Sequence, residues 1–397
     1  MRLTRLLRND AVTVEAMALE AGRRTAERCR DRHVLAIQDT TVVRAADDGG
    51  GLYLHPVIVV DADEGALLGL AHAAFLSRTK GLKAQRKSKP VKDKQSQRWL
   101  DGADKAAEVC AAAARMTVIA DRESDIYAAF AACPAGTDLL IRSAQNRSLG
   151  DEGLLFATLD ALPEAGRAAL DLPAKPGRKA RVAQMAIRFM TAELARPKNG
   201  VKADLPKSVS MTVVDVREID PPAGETVHWR LLTTHVVEDA AQAFAIVDLY
   251  RRRWVIERLF RTLKTQGFDI EGLLIEEEAP LQRLVMATLV AAVTVQQLVH
   301  ARDGIQGPQP LRPITDAFDP EDAPLLEAFC AKLEGKTQRQ KNPHPKGSLA
   351  YAAWVCARLG GWTGYYGKPG PLVMLNGWID FQAAKRGVAI LTAQSDV

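Results

Sequence analysis

Tyr250, Arg253, Glu257 and Lys264 set one carboxylate, two cations and a phenol at gaps of three, four and seven residues. At roughly 3.6 residues per helical turn, the four side chains fall within about 60° of one helix face. That face is a polar working stripe and not a core stripe. A single carboxylate does little chemistry, so it needs partners from elsewhere in the chain. Asp39 ends the apolar run 33–39, and Asp121 ends the apolar run 116–121. A carboxylate at a strand end projects from a rigid support and suits a hard cation that wants oxygen ligands. Two such aspartates with a helix glutamate can hold two Mg²⁺ ions about 4 Å apart and clamp both oxygens of a phosphodiester displacement. Asp47, Asp48, Asp61, Asp63, Glu123 and Asp125 lie in turns or at a helix start, where acids are expected for local reasons.

The elements that must position these residues read as follows. Residues 9–31 suggest a helix, and 33–43, 52–61 and 66–76 suggest three strands joined by short Gly/Asp turns, hence antiparallel neighbours. A helix over about 102–115, the strand ending at Asp121, a helix to about 132 and a strand over 138–143 follow. This order predicts an α/β fold, a mixed sheet with helices on its faces. Between 146 and 236, β-like runs near 170, 182–189, 208–216 and 228–234 are punctuated by Pro and Gly, predicting a β insertion. Helical patterns resume from Asp239, and from about 275 the chain is mostly helical.

With 397 residues, two or three domains are expected, and 47% hydrophobic residues allow a sizeable core. The net charge of +5 favours a polyanionic partner only weakly. Its distribution says more: from Arg78 to Arg98 nine cations face Asp93 alone. That stretch reads as a phosphate-contacting loop or as a solvated one. Five scattered cysteines without a Cys-x-x-Cys pair argue against a disulfide framework or structural zinc and fit a reducing cytosol. The N-terminus has no signal-peptide core. The apolar stretch 284–299 contains Gln296 and Gln297 and reads as a buried helix.

The residues Asp39-Thr-Thr, Asp121-Arg-Glu-Ser-Asp-Ile-Tyr, Leu140-Ile-Arg-Ser, Trp229-Arg-Leu-Leu-Thr-Thr and the Tyr-Arg-Glu-Lys helix carry a family likeness. The segment 354–362 adds to it. On these the chain resembles bacterial DDE transposases with a ribonuclease-H-like core, in the YREK subgroup of insertion-sequence family four. The likeness runs over nearly the whole chain from Asp39 onward.

The resemblance implies a cytoplasmic, nucleoid-associated enzyme that cuts and joins double-stranded DNA at transposon ends, by cut-and-paste through a hairpin, as a homodimer in a synaptic complex. It implies Asp39, Asp121 and Glu257 as catalytic ligands of two Mg²⁺ ions, with Mn²⁺ able to substitute. Tyr250, Arg253, Lys264 and Arg142 would contact DNA near the cut. For Trp229 the resemblance offers stacking on a flipped base, against a core reading from its hydrophobic run. Trp254 is open between the DNA face and the core. Trp354, Trp362 and Trp378 read as packing residues. The domains expected are an end-binding remnant over 1–32, a catalytic core over 33–147 and 237–274, a β insertion over 148–236 and a helical dimerisation region over 275–397. Relatives carry a longer helical region before the first aspartate, so a truncated copy acting as an inhibitor in mixed dimers is a second expectation. A ribonuclease-H-like nuclease is a third.

Overall fold

The computed structural model describes residues 2–45, 50–78, 96–150, 153–172, 179–198, 204–222, 226–304 and 311–395. The turn bearing Asp47 and Asp48, and the basic stretch between Arg78 and Arg98 apart from its ends, lie outside the described residues.

Helices α1 (Arg2–Leu7) and α2 (Val14–Cys29) come first. Thr13 caps α2 by accepting the Ala16 N–H. Strands β1 (His33–Gln38), β2 (Thr41–Ala45), β3 (Gly51–Asp61) and β4 (Leu67–Arg78) follow, then α3 (Gln97–Val109), β5 (Arg115–Ala120), α4 (Tyr127–Ala131) and β6 (Thr137–Arg142). The expected strand over 33–43 is therefore two. The break falls at Asp39, whose Oδ1 accepts the Thr40 N–H at 2.8 Å and turns the chain locally. Both halves pair antiparallel with β3, β1 against Val57–Asp61 and β2 against Gly51–Leu54. β1, β5 and β6 are mutually parallel.

The β-rich stretch is present as α5 (Leu155–Ala161), β7 (Gly166–Leu172), β8 (Arg181–Ala195), β9 (Ser208–Glu218) and β10 (His228–Thr233). It is built as an antiparallel prolongation of the same sheet. β10 pairs with β6, and β9, β8 and β7 follow outward, giving a ten-stranded mixed sheet. The fold is the mixed α/β, ribonuclease-H-like architecture expected, with helices on both faces and a mostly helical C-terminal region.

Successive strand residues point to opposite faces. Leu35, Ile37, Ile119, Leu140 and Leu231 pack toward α6 (Ala240–Arg251), α7 (Trp254–Lys264) and α8 (Glu278–Ala301). Val34, Ala36, Val118, Leu139 and Leu232 pack toward α3, α4 and α5. A third core joins the end of α8 to α9 (Ala323–Leu333), α10 (Leu349–Leu359) and α11 (Pro371–Ser395), with Trp354 buried in it and Trp362 and Trp378 against it. By length and composition α8 is apolar enough to cross a membrane. Its polar groups bind inward, however. Gln296 donates to Thr262 Oγ1 at 2.7 Å, Gln297 to the Leu68 carbonyl at 2.8 Å and Arg283 to the Leu7 carbonyl at 2.7 Å. It is a core helix of this fold, as its glutamines foretold.

Candidate active site

The parallel pairing of β1 with β5 sets Ile37 level with Ile119. Two residues on, Asp39 and Asp121 leave neighbouring strands level with each other, about 4.8 Å apart by the spacing of strands. Continuing the alternation from Ile37 and Ile119 directs both toward the face covered by α6 and α7. Arg142, two residues beyond Leu140 on β6, and Trp229, two before Leu231 on β10, belong to that face by the same count.

Helix α6 starts at Asp239, whose side chain accepts the Gln242 N–H, and buries Ala243, Ile246, Val247 and Tyr250 at helical spacing. The single helix expected through Lys264 is instead two helices. At the joint, Arg252, Arg253, Val255 and Ile256 donate their N–H groups to residues three back, to Leu249, Tyr250, Arg252 and Arg253. This is a tightened turn. It carries no Pro or Gly, so the cause is tertiary: the Arg253 side chain is drawn to the sheet while Arg252 bonds the Asp63 carbonyl at 2.8 Å.

Arg253 organises the cluster. One of its terminal nitrogens lies 2.9 Å from Asp39 Oδ2, and the other lies 2.5 Å from Glu257 Oε1 and 3.8 Å from Asp121 Oδ2. Its side chain is only 8% exposed, against 25%, 32% and 42% for Asp39, Asp121 and Glu257. The carboxylates thus face outward from a buried cation. Tyr250 donates its hydroxyl to Asp121 Oδ1 at 3.3 Å. Asp121 Oδ1 also accepts the Arg122 N–H at 2.8 Å. Burial raises the Asp39 pKa; the Thr40 N–H and Arg253 work against this, and Asp121 and Glu257 add to it. Burial likewise pushes the Tyr250 phenol up, with Asp121 adding. For Arg253, burial opposes the charged form, but Tyr250 and the three carboxylates outweigh it and hold its pKa up.

Of the residues singled out by sequence, the fold brings Asp39, Asp121, Glu257, Tyr250 and Arg253 into one constellation. Arg142 stands beside it, within electrostatic reach of Tyr250, and donates to the His228 carbonyl at 3.2 Å. Trp229 packs in the main core at 8% exposure, with its ring edge-on to Tyr250 at 5.9 Å. Lys264 does not join. Seven residues after Glu257, it is about 10 Å further along the helix, and its ammonium binds Glu271 at 2.6 Å. Trp254 is half-buried and lines a cleft with Arg252 and Arg258.

Other residues, not singled out by sequence as part of the site, support the constellation. Arg98, at the start of α3, donates to Thr40 Oγ1 at 3.1 Å and to Glu123 Oε2 at 2.7 Å. It ties the residue after Asp39 to the turn after Asp121. Thr40 Oγ1 also meets His55 Nδ1 at 2.9 Å, and His55 Nε2 meets Gln38 Oε1 at 3.2 Å. Gln38 gives its amide to the Trp99 carbonyl, so its Oε1 is the acceptor for His55. Burial first, then Arg98, keeps His55 neutral. Asp125 accepts the Ala144 and Gln145 N–H groups and pairs with buried Arg147, fastening the segment after β6 to the turn after Asp121. Asp61 caps its own turn by accepting the Asp63 and Glu64 N–H groups.

Among the described residues no three His, Cys, Asp or Glu side chains form a ready metal-holding group. The donor set nevertheless suits a hard cation. Three carboxylates converge on one guanidinium, which leaves two negative charges uncompensated at a partly open surface. Such an arrangement can bind divalent cations and, through them, phosphate oxygens. A family model described as the transposase DDE domain matches residues 31–294. That span contains all three carboxylates, and proteins of this kind act on DNA with divalent metal ions. The chain belongs to the DDE transposase family.

Proposed function

We propose that this protein is a cut-and-paste transposase that cleaves DNA at the ends of its own element and joins them to target DNA. The observation that carries the reading is the meeting of Asp39, Asp121 and Glu257, from two parallel strand ends and a helix, around the buried Arg253. Two Mg²⁺ ions, replaceable by Mn²⁺, would be held by these three carboxylates, and when bound they would stabilise the attacking and leaving oxygens of an in-line displacement.

The chain's own residues do the rest. Arg253 keeps the three acids converged before any cation arrives. Its charge also limits their mutual repulsion. Tyr250 fixes the Asp121 carboxylate through its hydroxyl. Arg253, Tyr250 and Arg142 together offer donors to phosphate oxygens of the bound strand, and Lys264 adds a cation further along α7. Base stacking by Trp229, within a hairpin route, requires the ring to leave its edge contact with Tyr250. Trp229→Phe would keep that capacity and Trp229→Ala would remove it. Residues 33–147 and 237–274 make up the catalytic core in this reading, 148–236 the β insertion and 275–397 the surface for a homodimer.

The test is cleavage of duplex DNA carrying the element's terminal sequences, with Mg²⁺ and a Glu257→Gln control. Glu257-dependent cutting at those ends supports the reading. Cutting of any duplex regardless of ends points to a nuclease instead, and no cutting by the wild-type chain rejects catalysis by this chain.

A further inference from the structure

Three consecutive arginines at the α6–α7 joint take separate routes. Arg253 turns to the carboxylates. Arg251 binds Asp248 at 3.0 Å and the Asp171 carbonyl at 3.1 Å. Among the described residues the Arg252 side chain bonds only a carbonyl, that of Asp63. Gly65 makes room for it, because a Cβ there would stand 2.1 Å from Arg252 Nη1. One turn after Trp254, Arg258 has no side-chain hydrogen bond or ion pair among the described residues, and its influential neighbours are the cations Arg261, Arg252 and Arg302. His300 at the end of α8 lies under the same field: burial first, then Arg258, Arg312, Arg302 and Arg252, push its pKa down to about 3, so it is neutral there.

Gly65, Arg251, Arg252 and Arg258 border a cleft of about 910 Å³ that is also lined by Trp254 and by the ends of β7 and β8. The acids that reach it are Asp171 and Asp248, and Asp248 is already taken by Arg251. Arg181 in the same wall is paired with Glu218. Among the described residues neither Arg252 nor Arg258 has a carboxylate partner, Asp171 included, so positive charge collects there. A cluster of like charges weakens a fold unless a ligand answers it.

From this arrangement we infer that the cleft is a second DNA-contacting site. Arg252 and Arg258 would hold backbone phosphates of the strand that runs from the carboxylate cluster across the exposed side of α7. Glu257 and Arg258 are consecutive on that helix and project about 100° apart, so a strand that bends around α7 passes from one to the other. An open cleft and two separate guanidiniums suit consecutive phosphodiesters, each guanidinium offering a planar fork of donors. The inference rests on the chain acting on DNA, but not on its cutting it.

Binding of a fluorescein-labelled duplex, in EDTA so that no cleavage occurs, is measured by anisotropy across a KCl series. Wild type is compared with Arg252→Ala, Arg258→Ala, the double variant and Lys105→Ala. Lys105 lies exposed on α3, on the opposite sheet face, and controls for loss of one charge. Each arginine variant should lower the slope of log K against log salt by about one, and the double variant by about two. Lys105→Ala should leave it unchanged, and thermal midpoints should stay level. Wild-type slope in the double variant, or an equal loss in Lys105→Ala, overturns the site while leaving the transposase reading intact. No duplex binding by the wild-type chain overturns both. Equal weakening of pyrophosphate and duplex binding would overturn the assignment to consecutive DNA phosphates in favour of a lone anion pocket.

Discussion

The two sides of α7 handle charge in opposite ways. On the sheet side, Arg253 is buried and answered by three carboxylates. On the other side, Arg252 bonds the Asp63 carbonyl and Arg258 has other arginines as its charged neighbours. The first arrangement holds its geometry without a ligand, since each acid is tied to the guanidinium or to a backbone N–H. The second holds its charge open. Reacting groups need preset positions within a fraction of an ångström, whereas phosphate contacts tolerate movement and gain from unspent charge.

The largest test of that contrast is removal of an acid. Asp39→Asn, Asp121→Asn or Glu257→Gln should each lower end cleavage by at least about a thousandfold while leaving duplex affinity intact or improved. Cleavage near the wild-type rate in any one would break the assignment of that residue. Arg98→Ala comes next. By freeing Thr40 from Glu123 it should slow cleavage about a hundredfold through misplacement of Asp39 against Asp121, seen as a fall in kcat with little change in KM. A change in KM alone would place Arg98 in DNA binding.

Arg253→Ala removes the cation shared by three acids. The acids are partly solvated, so the stability loss at neutral pH should be only about 1–3 kcal/mol by urea unfolding. The Asp39 pKa is already raised by burial and should rise further. An acid whose folded pKa exceeds its unfolded one weakens the fold at high pH and ceases to once protonated. The deficit against wild type should therefore shrink as the pH falls through that raised pKa. A deficit independent of pH would mean that Arg253 acts by packing alone.

Gly65→Ala probes the open side. Gly65 has φ +69°, and the added Cβ would collide with Arg252. About 1 kcal/mol of stability should be lost, along with about one unit of salt slope in duplex binding. The smallest effect concerns His235, which burial holds at a pKa of about 4. Its Nδ1 accepts from Arg115, and its Nε2 meets Thr117 Oγ1 at 2.9 Å. The unfolded chain takes up a proton near pH 6.5 and the folded one does not until about pH 4. Stability should fall across that window and level off below it. His235→Gln should flatten that part of the urea midpoint against pH.

The acids were legible because each ends an apolar run or stands on a periodic helix, patterns that local sequence sets. The α6–α7 joint was not, since no breaker residue marks it and the tightening comes from what Arg252 and Arg253 reach. Spacing placed Lys264 on the right face but could not show that it is too far along the axis. Arg98 was read as one more cation of a basic run. Its partners, Thr40 and Glu123, are 58 and 25 residues away, and no periodicity encodes such a contact. Trp229 looked like either core or stacking surface, and its edge contact with Tyr250 depends on a helix 21 residues downstream. The C-terminal tryptophans were simpler, because a helix with Trp354 amid alanines has one apolar use.

The order of the acids along the chain also bears on biogenesis. Asp39 and Asp121 pair through the parallel strands β1 and β5, but Glu257 and Arg253 follow more than a hundred residues later, after the whole β7–β10 extension. At about 5–20 residues per second of synthesis, a nascent chain carries both aspartates for several seconds before the glutamate exists. The site therefore cannot assemble on DNA near the ribosome until the antiparallel half of the sheet has been made.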